Sequence, residues 1–326
     1  MIKQTKLAAS ITVALGASAI ATGAAVAGTG FWPHVVYSPS VTTVVSVINQ
    51  NQSGDDLHYV LYYKDATDNT AACQEVNVFK PTSPNDIQTI DLGAVFGSTT
   101  KGVLFNDPSV NNDWDADPRT FALAQAAGQN PLRGYLLVDN SGTTATDVSG
   151  DALVLEYTNG ATWGYKAEES FNSDFRNSGL TIGIDDVSQV SIKPFAEINT
   201  SFMVTPVSAN MGALDGTGGD DSVTLRMRVQ ANGITGVMYD RDENPVSGAA
   251  EAPVVCVGRV NATELVGAGA QTFLPDGGWS NLEILPNAAG IVAGTTGAVV
   301  YQLEYGSGTF NGETMSGTFN NSFELK

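Results

Sequence analysis

Short runs of alternating apolar and polar residues constrain the fold of this chain more than any other feature. In the run SVTLRMRVQ the apolar residues share one parity: Val223, Leu225, Met227 and Val229. In the run AVVYQLEY every second residue is again apolar or aromatic: Val299, Tyr301, Leu303 and Tyr305. Side chains with period two lie on one face of a strand, so both runs predict half-buried strands of an antiparallel sheet. We expect the first set to face a core.

Three Asn-Gly pairs stand between such runs: Asn159-Gly160, Asn232-Gly233 and Asn311-Gly312. A type I′ turn needs two consecutive residues with positive φ, and Asn followed by Gly satisfies this need best. Each pair therefore predicts a β-hairpin.

Helix signals are sparse. Asp117 and Pro118 precede RTFALAQAA and Gly128, which predicts a helix near 118–127. Asn261 with Glu264 three residues later predicts a short capped helix near 262–266. Neither signal recurs with βαβ spacing, which disfavours a parallel sheet.

The fold class predicted from these patterns is all-β, with two antiparallel, Ig-like β-sandwich domains in series and one or two short helices. The run SIKPFAEINT closes one set of strands, and SFMVTPV opens another. We therefore expect a leader at 1–27, a first domain at 28–200 and a second at 201–326.

The N-terminal residues predict export. Lys3 and Lys6 precede a run of apolar and small residues that ends in Ala25-Val26-Ala27, as in a secretory signal peptide cleaved after Ala27. No later run is apolar and long enough to span a bilayer. We expect a secreted protein of the periplasm, the outer cell surface or the extracellular space.

The excess of acidic side chains limits the classes of molecule that the protein is expected to bind. The chain has 15 basic and 34 acidic side chains, a formal net charge of −19, and loss of Lys3 and Lys6 with the leader makes it −21. Such a surface repels phosphate backbones, so nucleic acid is not an expected partner, whereas cations are attracted.

The two cysteines, Cys73 and Cys256, leave two alternatives. In an oxidising compartment they can form a disulfide. Both lie in strand-like runs of different predicted domains, so two separate buried thiols are the other interpretation. No CxxC motif is present for metal or redox chemistry.

Several stretches in order resemble a known group of proteins: the strand T-x-x-S-V-I-N, the turn S-P-x-D and the turn Y-D-R-D-E. The layout is similar to a loosely defined group of secreted, β-rich proteobacterial proteins. The resemblance implies secretion and a β-sandwich architecture, and it carries no catalytic residues over to this chain.

Catalytic motifs are scarce. His34 and His58 stand outside any nucleophile or zinc motif, and His58 in LHYVLYYK is typical of a structural histidine. Glu156, Glu168 and Glu169 are candidates for a glycosidase carboxylate pair, but such a pair is defined by its separation in space. We therefore predict no catalytic residue and no enzyme.

Acidic loops give the metal candidates. Asp113, Asp115 and Asp117 alternate in NNDWDADP, and oxygen ligands at this spacing suit Ca²⁺. Pro118 and Ala124 stand where an EF-hand requires Gly and Glu, so a polar turn before the helix is the alternative. Weaker acidic groups are Asp215, Asp220 and Asp221, and Asp240, Asp242 and Glu243.

Two further features bear on function. The turn-associated tryptophans Trp114, Trp163 and Trp279 can stack on sugars or fill the ends of a sandwich. The strand VTTVVSVIN is typical of a buried central strand and also of a strand donated to another subunit.

These observations favour a secreted cell-surface or extracellular-matrix protein with a structural or adhesive role, self-assembling and stabilised by Ca²⁺. The alternatives are a carbohydrate-binding module and a glycoside hydrolase with a carboxylate pair.

Overall fold

Antiparallel β-strands make up most of the protein. The computed structural model describes residues 29–50, 55–93, 103–105, 127–140, 148–157, 161–170, 181–194, 198–208, 211, 224–286, 295–306, 309–310, 313–314 and 319–325. Strands dominate these residues and their pairings are antiparallel, so the predicted mainly antiparallel β fold is confirmed.

Two five-stranded sheets form the first half of the chain. Its strands are β1 Thr29–Tyr37, β2 Val41–Asn49, β3 Asp55–Asp65, β4 Gln74–Thr82, β5 Ile87–Asp91, β6 Val103–Phe105, β7 Leu132–Asn140, β8 Val148–Glu156, β9 Ala161–Lys166 and β10 Glu168–Ser170. Sheet A has the order β10-β1-β7-β3-β4, and sheet B has the order β6-β5-β2-β8-β9. Trp32 and Leu61 of sheet A share one core with Val45 and Ile90 of sheet B, so the two sheets pack against each other.

The second half also has two main sheets. Its strands are β11 Thr181–Gly183, β12 Val187–Ile192, β13 Ile198–Ser208, β14 Thr224–Ala231, β15 Ile234–Thr235, β16 Val237–Tyr239, β17 Pro245–Ser247, β18 Ala252–Val255, β19 Gly258–Asn261, β20 Gly278–Pro286, β21 Thr295–Gly306, β22 Thr309–Phe310, β23 Glu313–Thr314 and β24 Phe319–Leu325. Sheet C has the order β11-β21-β13-β19 with β24 beside β21, and sheet D has the order β15-β14-β20-β16-β17 with β12 beside β20 and β18 beside β14. Phe202 of sheet C and Leu225 of sheet D belong to one core.

Sheet C buries both of its faces and joins the two halves. Along β13, Phe202 and Val204 lie in the core of the second half, whereas Met203 and Val207 lie in the core of the first. Between them, the Thr205 hydroxyl donates to the carbonyl of Pro33 in β1. The predicted division at residues 200 and 201 runs through β13, and β11 and β12 pair with β21 and β20 of the second half.

The predicted faces of β14 are confirmed for the described residues. Leu225, Met227 and Val229 are fully buried, while Val223 lies outside the described residues. For AVVYQLEY the expectation of a half-buried strand is wrong. Gln302 and Glu304 occupy the alternate positions that were expected to face solvent, and both are buried, because sheet C packs against neighbours on both faces.

The Asn232-Gly233 hairpin is confirmed. Asn232 has φ of 51° and Gly233 has φ of 75°, and the strands on either side pair from Ala231 to Ile234. The other two Asn-Gly pairs lie outside the described residues. The strands that flank them, β8 with β9 and β22 with β23, are antiparallel neighbours.

Two short helices occur in the described part of the chain, α1 Ala262–Leu265 and α2 Ala268–Gln271. Helix α1 is the one predicted from its cap: the backbone N–H of Asn261 donates to the Glu264 carboxylate over 2.6 Å. Helix α2 was not predicted. Of the helix expected at 118–127, residues 118–126 lie outside the described residues. None of the described helices has the length and apolar character needed to cross a membrane.

The strand VTTVVSVIN is β2 and lies in the middle of sheet B. It pairs with β8 along its full length and with β5 from Val44 to Ile48. Both of its edges are therefore hydrogen-bonded within the chain, as expected of a buried central strand.

Candidate functional site

A cavity of about 350 Å³ lies where the two halves meet. Residues from β1, β2, β7, β8 and β9 of the first half and from β13, β19 and β21 of the second half line it. Its chemically distinctive side chains are His34, Arg133, Glu156, Trp163, Arg259 and Tyr305. Ser40 and Thr67 also line it and are exposed, which places them at its mouth.

A bulge in β1 turns His34 toward the cavity. The pairing of β1 with β7 shifts register between Trp32 and Val35, so His34 has no partner in that ladder. Bulges of this kind redirect a side chain at a functional position. The Tyr165 hydroxyl fixes the bulge, because it donates to the His34 carbonyl over 2.5 Å and accepts from the His34 backbone N–H over 3.3 Å.

Two arginines from different halves face the cavity. Arg133 is 8% exposed and donates from Nη1 to the carbonyl of Ala66 over 3.0 Å. Arg259 donates from Nη2 to the hydroxyl of Ser201 over 3.0 Å. The Nε atoms of both arginines and Nδ1 of His34 are buried and have no hydrogen-bond partner within the described part of the chain. No described carboxylate lies within 4.0 Å of either guanidinium as an ion-pair partner.

Burial and mutual repulsion shape the charges of this site. Burial, with a smaller contribution from the neighbouring Arg259, lowers the pKa of Arg133 to about 10. Burial also lowers the pKa of His34 well below its usual value, with a smaller contribution from the positive charges of both arginines. His34 is therefore neutral at neutral pH, and the arginines supply the positive charge.

Tyr305 connects the cationic part of the cavity with its carboxylate. Its hydroxyl donates to Oε1 of Glu156 over 2.7 Å. The guanidinium carbon of Arg259 lies 5.3 Å from the centre of the Tyr305 ring, within the range of a cation–π contact. Burial raises the pKa of Tyr305, so its hydroxyl keeps its proton and remains a donor.

A loop of the first half holds the segment that carries Arg259. The side chain of Asn69 accepts from the Arg259 backbone N–H over 3.1 Å and donates to the Arg259 carbonyl over 2.6 Å. Lys64 donates from Nζ to the carbonyl of Val255 over 2.6 Å. Of the two alternatives for the cysteines, the structure has the disulfide: Cys73 and Cys256 are bonded, with Cα atoms 5.9 Å apart. The loop and the bond together place Arg259 opposite Arg133.

The cavity brings together a few of the residues proposed from sequence. His34, Glu156 and Trp163 line it. Glu168 is not part of the lining, and the side chain of Glu169 lies outside the described residues.

His58 and Trp279 lie elsewhere and pack against aromatic rings. His58 stacks on Phe79 with ring centres 4.2 Å apart, and burial lowers its pKa. Trp279 stacks on Tyr239 in sheet D with ring centres 5.2 Å apart.

The acidic candidates lie apart from the cavity. The aspartates Asp113, Asp115 and Asp117 lie outside the described residues, as does Trp114 between them. The acidic group at 215–221 also lies outside them. In the turn between β16 and β17, Oδ1 of Asp240 accepts backbone N–H bonds from Asp242 (2.9 Å) and Asn244 (2.8 Å), the pattern of an ordinary Asx turn. Where side chains are described, no group of three or more His, Cys, Asp or Glu residues is arranged to hold a metal ion.

Sequence reasoning missed Arg133, Arg259 and Tyr305. The available signal was a single arginine inside an apolar strand, in PLRGYLLV and in VVCVGRV. Arginine is almost never buried without a partner, so each of these positions marked a charge that needs a counter-charge.

In comparisons with known proteins, no family model matches the chain, no curated protein is similar to it, and no solved structure matches it.

Proposed function

We propose that this is an exported binding protein whose cavity between the two halves holds a small ligand with an anionic group. One observation carries the proposal: Arg133 and Arg259 face the same cavity, and neither has a carboxylate partner among the described residues. This arrangement stands out in a chain with 34 acidic side chains, in which a counter-charge is easy to supply.

The energetics of burial support a charged ligand. Moving a cation out of water costs several kcal/mol unless a counter-charge and hydrogen bonds compensate for it. Arg259, which is partly buried, adds a second positive charge to the same cavity, and the two guanidinium groups repel each other. A bound carboxylate, sulfate or phosphate offsets both effects, because the planar N–H fork of arginine matches these groups in a bidentate geometry.

Binding accounts for the site better than hydrolysis does. A glycosidase needs two carboxyl groups about 5 to 10 Å apart. The described lining of this cavity contains one, Glu156.

The sandwich architecture and the surface role belong to the same proposal. We take sheets A and B as one β-sandwich and sheets C and D as a second, each pair being joined by a shared core. For a structural or adhesive role, the strand considered as an alternative for donation to a neighbour, β2, is already paired on both sides. The cavity therefore supports ligand binding more directly than assembly.

The test compares an arginine of the cavity with one of the surface. Binding of sulfate, phosphate and citrate is measured by calorimetry at constant ionic strength for the wild type, Arg133→Met and Arg259→Met. Arg226→Met is the control, since it removes the same charge from the outer face of β14. Removing one partner of a buried charge pair costs about 2 to 5 kcal/mol, so either cavity variant should weaken binding by a factor of about 30 or more.

Stability provides the second readout. Without ligand, Arg133→Met should be at least as stable as the wild type, because it removes a desolvated charge that has no carboxylate partner in the described part of the chain. Anion binding that is unchanged in both cavity variants, or equally weakened in Arg226→Met, would overturn the proposal.

A further inference from the structure

We infer that the ligand is a hydroxylated carboxylate of the size of one acidic sugar unit, with its carboxylate on Arg133 and Arg259 and its hydroxyl groups near Glu156. This inference rests on the proposed function and adds the chemical class of the ligand. It depends on the distribution of groups along the cavity, which has a cationic part, an acceptor part and an aromatic wall.

The cationic part takes a single anionic group. The buried Nε atoms of Arg133 and Arg259 and Nδ1 of His34 have no partner within the described chain. Each of these three atoms has almost no accessible surface, so the cationic groups that a ligand can reach are the Nη atoms of the two arginines. Nη1 of Arg133 and Nη2 of Arg259 donate to the Ala66 carbonyl and the Ser201 hydroxyl, which holds both guanidinium groups beside the cavity. A carboxylate accepts from several N–H groups at once, so it fits between the two guanidinium groups.

The acceptor part of the cavity opposes a second negative charge. Glu156 lines the same space and accepts the hydroxyl proton of Tyr305. Two negative charges about 4 Å apart repel each other by several kcal/mol near a protein surface. A polyanion is therefore disfavoured, whereas hydroxyl groups can donate to a carboxylate, which accepts several hydrogen bonds.

The mouth of the cavity adds neutral hydroxyl groups. Ser38 and Ser40 both line it, with their Oγ atoms 3.1 Å apart, and Thr67 on the loop of the first half also belongs to the lining. Serine and threonine hydroxyls both donate and accept, so they suit a ligand that carries several hydroxyl groups of its own.

The aromatic wall and the volume limit the ligand to about one ring. Trp163 and Tyr305 contribute ring surface to the lining, and aromatic rings pack on apolar C–H surfaces such as those of a sugar. A volume of about 350 Å³ lies at the lower end of the range for small-molecule pockets, about 300 to 1,000 Å³.

The experiment uses probes that differ in one group at a time. Calorimetry compares glucuronate with glucose, which lacks the carboxylate, with cyclohexanecarboxylate, which lacks the hydroxyl groups, and with phosphate. Glucuronate should bind at least about 10-fold more tightly than each of the others, the factor that one hydrogen bond to a charged group supplies.

Two variants assign the two parts of the cavity. Arg133→Met should remove binding of both glucuronate and cyclohexanecarboxylate. Glu156→Gln should reduce the preference for glucuronate over cyclohexanecarboxylate by about 10-fold. Glu251→Gln, the same change on the surface of sheet D, should leave this preference unaltered. A thermal melt of each variant verifies that it is folded.

The outcomes separate the inference from the proposed function. If phosphate or cyclohexanecarboxylate binds as tightly as glucuronate and depends on Arg133, the ligand class is wrong and the anion site stands. If glucose binds as tightly as glucuronate, or if none of the anions binds, the anion site itself is refuted.

Discussion

Two pairs of arginines in this protein have opposite surroundings. Arg226 and Arg228 project from the outer face of β14, and each is paired with carboxylates: Arg226 with Glu251, and Arg228 with Glu283 over 2.6 Å and Glu251 over 3.4 Å. Arg133 and Arg259 face the cavity between the halves and have no such partner among the described residues. The first pair is compensated by its own sheet, and the second is not.

The difference follows from how each pair is held in place. Arg226 and Arg228 lie two residues apart on one strand, and their partners lie on β20 and beside β18, so one sheet supplies all the charges. Arg133 and Arg259 come from sheets A and C and meet because the halves pack together. Arg133 is buried and Arg259 is partly buried, and a fold that keeps both on one cavity without an ion-pair partner among the described residues does so at a cost in free energy, which is consistent with compensation by a ligand.

The largest expected effect breaks the link that positions the cavity pair. Replacing both Cys73 and Cys256 with serine removes a cross-link between residues 183 positions apart. In the chain-entropy model a loop of this length stabilises by about 5 kcal/mol, so urea unfolding should show a loss of that order. Anion affinity should fall as well, since hydrogen bonds from Asn69 and Lys64 would then have to hold the Arg259 segment against the first half without the cross-link.

Arg226→Met in the disulfide-free background is the matched control, and it should change stability no more than it does in the wild type. A disulfide-free protein that loses less than about 1 kcal/mol would show that the loop contacts, not the cross-link, position Arg259.

The local features of the fold could be predicted from sequence, and the junction could not. The faces of β14 and the Asn232-Gly233 turn depend on period-two alternation and on positive φ, which neighbouring residues determine. The burial of Gln302 and Glu304 depends on sheet C having neighbours on both faces, which one strand does not encode. Gln302, for instance, donates to the carbonyl of Ser191 in β12, over 2.9 Å.

The candidate site was predictable only in fragments. His34, Glu156 and Trp163 were considered separately, because they come from three different strands and share no motif. Arg133 and Arg259 carry the site, and their proximity results from tertiary packing and the disulfide.

The second prediction sharpens the contrast between the two faces of β14. Leu225 is fully buried in the core of the second half, whereas Arg226 beside it points outward. Leu225→Ala should lower the free energy of unfolding by about 2 to 5 kcal/mol through lost burial and a cavity. Arg226→Ala should cost less than about 1 kcal/mol, as an exposed ion pair contributes. A loss below about half a kcal/mol for Leu225→Ala would mean that the faces are reversed.

The third prediction uses the charge state of His34 beside the cavity pair. Its folded pKa lies below its unfolded value, so the unfolded chain binds a proton near pH 6.5 that the native state does not bind. The His34 contribution to stability is therefore complete above pH 6.5 and declines as the pH falls. The slope should reach about 1.4 kcal/mol per pH unit.

Urea unfolding between pH 7 and pH 5 measures this slope in the wild type, in His34→Asn and in His58→Asn. His58 also has a lowered pKa, caused mainly by burial, and therefore adds a share of its own. Each variant should lose part of the slope. If His34→Asn unfolds with the wild-type pH dependence, the pKa of His34 is the same in the native and unfolded states, and its lowered pKa in the cavity is wrong.

The smallest expected effect lies at the surface pair. Glu251 is about one-third exposed, accepts from both Arg226 and Arg228, and can be replaced by glutamine without a change in size. Arg228 keeps Glu283, its nearer and more buried partner, so Glu251→Gln leaves no buried charge unpaired. Exposed ion pairs contribute about 0.2 to 1 kcal/mol, and the change in unfolding free energy should lie in that range. At 1 M NaCl, where the screening length is about 3 Å, this change in unfolding free energy should nearly vanish.

Loss of more than about 2 kcal/mol in Glu251→Gln, or a loss that salt does not reduce, would show that the outer arginines also depend on a desolvated network. The two pairs would then differ in degree, and the lack of a described carboxylate partner at Arg133 and Arg259 would no longer distinguish a ligand site from ordinary surface electrostatics.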